Sequence, residues 1–173
     1  MVNGVVYIQD LDANVYALAL ATGKLKWEYQ LKIQYPSGPD SGVEAVGLGS
    51  GGLETPLVSS DGSVTFGIGN PYQSVASAIA HPSAQAYTDI DVNLDAATGK
   101  LRWYYQGVPN DFKDYDMQAS PISASVNGVS VVLGGGKMGY VYEMNAQTGK
   151  LIWKTAVGEH NGHDNDSLLA LET

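Results

Sequence analysis

Short apolar runs alternate along this chain with clusters of Gly, Ser, Asn and Asp. Runs rich in Val, Ile and Tyr and bounded by turn residues predict strands. Gly4-Val5-Val6-Tyr7-Ile8 is one such run. Val15-Tyr16-Ala17-Leu18 is another, and its mostly apolar composition suits a strand buried on both faces. Lys24-Leu25-Lys26-Trp27 then alternates polar with apolar, the pattern of a half-exposed outer strand. Gly23 stands between the two, where a tight turn needs a residue that accepts positive φ.

This unit recurs. Residues 14–27 read NVYALALATGKLKW, residues 90–103 IDVNLDAATGKLRW and residues 140–153 YVYEMNAQTGKLIW. Each copy ends in a tryptophan, and Trp27, Trp103 and Trp153 are the three tryptophans of the chain. One tryptophan per repeat is what packing between repeats requires, so all three are expected in the core. An earlier strand precedes the first and third copies, the latter at Gly128-Val129-Ser130-Val131-Val132. Each unit therefore reads strand, turn, strand, TG turn, strand.

Stacked units of this kind predict an all-β propeller of four-stranded antiparallel blades, with an open solenoid as the competing architecture. Trp103 and Trp153 are 50 residues apart, which is one blade. Trp27 and Trp103 are 76 apart, so that gap holds either a long connection or a blade with a degenerate turn. Thr55 to Val58 and Ser63 to Ile68 supply strands there. The stretches 37–42, 47–52 and 71–86 read as loops. About three to four blades span residues 1–173, fewer than the ring needs. The chain also opens in mid-strand with no signal-peptide pattern, so it is expected to be a segment of a longer propeller.

Composition narrows the partners. The formal net charge is -9, which repels phosphate backbones and anionic membrane surfaces and argues against nucleic-acid binding. The absence of cysteine excludes disulfides and thiolate metal sites. No apolar run reaches membrane-spanning length, so no membrane insertion is expected.

The segments between the repeats carry a further pattern. Gly67-Ile68-Gly69-Asn70-Pro71 resembles the GTGNP segment of the PQQ-dependent (quinoprotein) alcohol dehydrogenase family. Residues 108–116, VPNDFKDYD, resemble its TPHDxxDYD segment, and Gly136-Lys137-Met138-Gly139-Tyr140-Val141-Tyr142 its K-x-G-x-(V/F)-Y segment. They occur in the family's order, and the TGKLxW unit resembles its blade motif. The resemblance implies an eight-bladed ring, PQQ with a Ca or lanthanide ion as cofactors, an alcohol or sugar as substrate, and a periplasmic or other extracytoplasmic location. Residue by residue, it implies that Asn70 binds the metal beside the quinone, Asp114 is the general base and Asp116 is the extra carboxylate ligand of lanthanide-dependent members. It implies that Lys137 contacts the quinone carbonyl region. These types suit the chemistry. A carboxylate accepts the hydroxyl proton, a hard cation prefers oxygen ligands and polarises a carbonyl, and a lysine stabilises charge on the quinone oxygen.

The sequence also departs from the family. Asn110 stands where the family has histidine, residues 51–55 lack the tryptophan that stacks on the quinone, and the vicinal cysteine pair is absent. The competing reading is a non-catalytic propeller scaffold for binding other proteins or for envelope assembly, its partner another protein or the remaining blades. On that reading Asp114 and Asp116 are solvated loop residues, Asn70 is turn chemistry and Lys137 is a solvated hairpin residue. A separate, weaker candidate for a metal is the loop at 158–166, with His160, His163, Asp164 and Asp166. It lacks the spacing of any established metal motif.

Overall fold

The computed structural model describes residues 2–34, 44–46, 54–70, 88–108, 115–117 and 119–157. Among them are thirteen strands and no helix. The first blade is a three-stranded sheet of β1 (Val5–Gln9), β2 (Val15–Ala19) and β3 (Leu25–Tyr29). A two-stranded sheet follows, β4 (Lys32–Gln34) with β5 (Glu44–Val46). The second blade is β6 (Leu57–Val58), β7 (Ser63–Ile68), β8 (Ile90–Asp95) and β9 (Leu101–Gln106). The third is β10 (Ile122–Val126), β11 (Val129–Gly135), β12 (Tyr140–Asn145) and β13 (Leu151–Ala156). Strands pair antiparallel in sequence order, as hairpin-connected blades do. Among the described residues the long gap between Trp27 and Trp103 holds the β4–β5 pair and the first three strands of the second blade, with no additional blade.

Turn chemistry fixes the hairpins. Asn127 and Gly128 both have positive φ between β10 and β11, the paired left-handed conformation that Asn-Gly favours in two-residue hairpins. In the TG turns the amide of Gly99 donates to Asp95 O at 2.8 Å and that of Gly149 to Asn145 O at 2.9 Å. The side chain of Asp95 caps its turn, accepting from the Thr98 amide at 3.0 Å and the Thr98 hydroxyl at 2.8 Å. Asn145 does the same for Thr148. Hydrogen bonds from Arg102 and Thr98 hold the exposed Asp95 carboxyl at a pKa of about 2. The first blade has Ala19 at this position and lacks the cap.

Each blade also carries a register shift just before its TG turn, between Ala17/Leu18, Asn93/Leu94 and Glu143/Met144. The shift lies beside the strand position paired with the tryptophan. It increases local twist. Trp27 docks on the next blade's turn, its ring stacked over Gly99 and its Nε1 donating to Ala96 O at 3.0 Å. Trp103 repeats the contact over Gly149, donating to Ala146 O at 2.8 Å. These two are 9% and 6% exposed. Trp153 departs from the expectation of a core tryptophan. It is 38% exposed, because no described turn lies beyond the third blade to receive it. At the other end, no described residue lies within 4 Å of where a Cβ on Gly23 would stand.

The second blade is buried on both faces, but the faces differ. Val64, Phe66, Ile68, Ile90, Val92 and Leu94 pack against Val5, Val15, Ala17 and Trp27 of the first blade. The alternate positions Ser63, Thr65, Gly67, Asp91 and Asn93 face the third blade and are equally buried. The third blade answers with Val132, Gly134, Tyr142 and Met144.

Candidate functional site

The antiparallel order places the turns β6–β7, β8–β9, β10–β11 and β12–β13 at one end of the blades. The connections β7–β8, β9–β10 and β11–β12 lie at the other. Asn70 follows β7, Asp116 lies in the β9–β10 connection and Lys137 in the β11–β12 turn. Three loops distant in sequence therefore deliver these residues to one end.

They meet there. The carboxylate of Asp116 accepts from the backbone amide of Asn70 at 2.8 Å through Oδ1, and from Nζ of Lys137 at 2.6 Å through Oδ2. Asp116 is 3% exposed, whereas the Lys137 side chain is 42% exposed. The amide of Lys137 also donates to Tyr115 O at 2.8 Å and Asp116 O at 3.2 Å. Asp116 adopts φ of +40°, a left-handed conformation uncommon outside glycine. Its neighbours enforce it. Segment 115–117 is clamped between Gly67 of the second blade and Gly136 of the third. A Cβ on Gly67 would run into Met117 O, and one on Gly136 into Asp116 O. Close backbone approach is one of glycine's particular uses.

A second layer lies just beneath. Gln9, the last residue of β1, donates through Nε2 to Glu54 at 2.9 Å and to Gly67 O at 3.3 Å. Glu54 also lies next to Gly67. Asp91 pairs with Gly67 across β7–β8 and is fully buried against the backbone of Gly134. Among the described residues, neither of its oxygens accepts a hydrogen bond. Burial, reinforced by the charge of Glu54, raises the Asp91 pKa well above the usual carboxylate value. Burial and then the proximity of Asp91 raise the Tyr105 hydroxyl as well.

Of the residues singled out in the sequence, the structure thus brings together Asn70, Asp116 and Lys137. Asn70 contributes its backbone amide to the Asp116 carboxylate. Asp114, and the cluster of His160, His163, Asp164 and Asp166, lie outside the described residues. Among the described residues, no three or more His, Cys, Asp or Glu side chains gather as a metal site. Sequence reading missed Gln9, Glu54 and Asp91 as a connected layer. The available signal was the polar residue at every second position of 89–95, inside a strand whose other positions are apolar.

A quinone with a hard cation needs oxygen donors for the cation and a positive group for the quinone oxygen. Asn70, Asp116 and Lys137 provide those donor types in one cluster, and the set fits such a pair in kind.

The repeated antiparallel sheets define a propeller built of blades. Residues 59–160 match the PQQ family model described as the glucose/ethanol/alcohol dehydrogenase β-propeller domain, and the chain belongs to that family. It is 32% identical over 179 residues to tetrathionate hydrolase of Acidithiobacillus ferrooxidans, covering 96% of this chain and 29% of that protein. It is 36% identical over 75 residues to quinoprotein glucose dehydrogenase of Escherichia coli, covering 41% of this chain and 9% of that protein. Quinohemoprotein alcohol dehydrogenase from Comamonas testosteroni shares the fold, with a TM-score of 0.71 at 20% identity over 97% of this chain and 30% of that one. The chain spans less than a third of the length of each of these proteins. Among the described residues no helix is long and apolar enough to cross a membrane.

Proposed function

We propose that this chain carries the cofactor face of a PQQ-dependent propeller dehydrogenase that oxidises an alcohol or sugar hydroxyl outside the cytoplasm. The observation that carries this reading is the convergence of Asn70, Asp116 and Lys137 from three loops at one end of the blades. When bound, the quinone takes up the electrons of the oxidation while a Ca or lanthanide ion polarises its carbonyl. Asp116 and Asn70 are the oxygen donors this chain offers the cation. The exposed side chain of Lys137 supplies the positive group that faces a quinone oxygen. Asp114, two residues before Asp116, is the carboxylate assigned to the hydroxyl proton. The glycine clamp around 115–117 fixes the backbone of Asp116 before any ligand arrives, which is the preorganisation such catalysis depends on.

The test is a titration of the full-length protein with PQQ in the presence of Ca²⁺ or La³⁺, following quinone absorbance and dye-linked alcohol oxidation. Binding with either ion and turnover are expected. Failure to bind with both ions overturns the reading.

A non-catalytic scaffold is the second reading, and one observation favours it. Glu54, held by Gln9, sits beside the cluster in the segment where a stacking aromatic is missing. A half-buried acid there opposes an anionic quinone. On this reading the blades serve a protein partner, and a stable protein that binds no quinone is the expected result.

A further inference from the structure

We infer that two copies of this chain join head to tail, the TG turn and free face of one copy's first blade seating on Trp153 of the other. The joint uses blade packing alone and forms with or without a bound quinone.

The receiving half is built on the first blade. In the second blade the face that takes Trp27 is apolar and buried at Val64, Phe66, Val92 and Leu94. The first blade has apolar or aromatic residues at the same register positions. Val6 pairs with Leu18 as Val64 pairs with Leu94, and Ile8 pairs with Tyr16 as Phe66 pairs with Val92. These four alternate with Val5, Val15 and Ala17, which pack against the second blade, so they lie on the opposite face. Ile8 is 51% exposed, and Leu25, the cross-strand partner of Leu18, is 55% exposed.

The turn that would hold the indole is preformed too. Where a tryptophan is received, the Ala96 amide donates to Gly62 O at 2.9 Å and the Ala146 amide to Ser130 O at 3.0 Å. The Leu20 amide makes the matching bond to Gly4 O at 2.8 Å, and the Gly23 amide closes its turn on Ala19 O at 2.8 Å. Gly23 has φ of +67°, the same as Gly149. No described residue stands within 4 Å of its Cβ position, which is the space an indole fills over Gly99 and Gly149. Leu20 holds the place of Ala96 and Ala146, whose carbonyls accept the indole N–H.

The donating half is Trp153. It pairs with Glu143 as Trp103 pairs with Asn93, beside the same register shift, yet its ring is open to solvent. The two halves differ in kind, so neither pairs with itself. A contact between them is heterologous, and it repeats between copies the seam that the chain makes twice within itself.

The test is sedimentation velocity of the chain from about 1 to about 200 μM. About 0.3 M salt screens the repulsion from a net charge of -9 per copy. The wild type is expected to pass from monomer to larger species as concentration rises, with its tryptophan emission moving to shorter wavelength. Trp153→Ala removes the donor and Ile8→Glu charges the receiving face, both at exposed positions, and circular dichroism verifies that each variant folds. Leu25→Lys replaces Ile8→Glu if that variant does not fold. Each variant alone is expected to weaken self-association at least about tenfold. An equal mixture of the two should associate again, and only as far as a dimer, because a single joint of intact halves remains. A wild type that stays monomeric throughout overturns the joint and leaves both faces to other segments or partners. Self-association that survives Trp153→Ala overturns it as well, since first-blade faces would then be pairing with each other. A mixture that stays monomeric overturns it too.

Discussion

The carboxylate of Asp91 occupies the space that a Cβ on Gly134 would fill, so a strand of one blade carries an acid that the next blade accommodates by omitting a side chain. The contact joins β8 to β11 across the seam between the second and third blades. It makes the two residues a matched pair.

Gly134→Ala should therefore destabilise the protein, through a clash with Asp91 that neither backbone can relieve. Overpacking of this kind typically costs about 1–3 kcal/mol. Asp91→Ala in the same chain should recover part of the loss. A double-mutant cycle by urea denaturation checks this, and strictly additive effects would count against the matched pair.

Asp91 also sets a pH dependence. Its folded pKa is raised, so the folded protein holds a proton that the unfolded chain releases. Its contribution to stability is greatest below the unfolded value near 4. That contribution declines as pH rises towards the folded pKa, then levels off. Asp91→Asn is expected to be more stable than wild type at neutral pH and to show a flatter profile above pH 4. Melting temperatures of both proteins between acid and neutral pH test this. A variant less stable than wild type at pH 7 would refute it.

The tryptophans separate into two groups. Trp27→Ala and Trp103→Ala remove buried rings and their hydrogen bonds to Ala96 and Ala146, and large-to-small changes of this type cost about 3–5 kcal/mol. Trp153→Ala should cost distinctly less in this 173-residue chain, because its ring is more than a third exposed. Acrylamide quenching of each single-tryptophan variant provides the second readout. The protein retaining Trp153 should be quenched most readily.

The TG turns differ in the same way. Gly23, Gly99 and Gly149 all have φ near +70°, so alanine at any of them carries backbone strain of about 1–2 kcal/mol. At Gly99 and Gly149 a Cβ would also press into a tryptophan ring 2.6 Å away, whereas at Gly23 it meets none of the described residues. Gly99→Ala is thus expected to lower the Tm more than Gly23→Ala. Equal losses would show that the docking contact contributes little.

The blades were legible because their cause is local. Trp27, Trp103 and Trp153 follow turns whose Gly and strand periodicity are written in consecutive residues. Part of the site was legible for a different reason, since the segments around Asn70, Asp116 and Lys137 keep a family's order. The rest depends on contacts between distant segments. That Asp91 lies under Gly67 and against Gly134 follows from strand pairing and blade packing, which no short window displays. The glycine clamp on 115–117 is illegible for the same reason, because Gly67 and Gly136 each read as ordinary turn or strand glycines. Trp153 looked like its two counterparts and differs only through what lies beside it.

That difference gives the array a direction. A seam is made by an indole on one blade and a left-handed turn on its successor, and neither half can substitute for the other. The described array ends in an indole at Trp153 and begins with an open turn at Gly23. Blades joined this way form a polar sequence, like links with a hook at one end and an eye at the other. Starting the chain at a different blade would keep every such joint in a closed ring. Reversing the order of the hook and the eye would keep none.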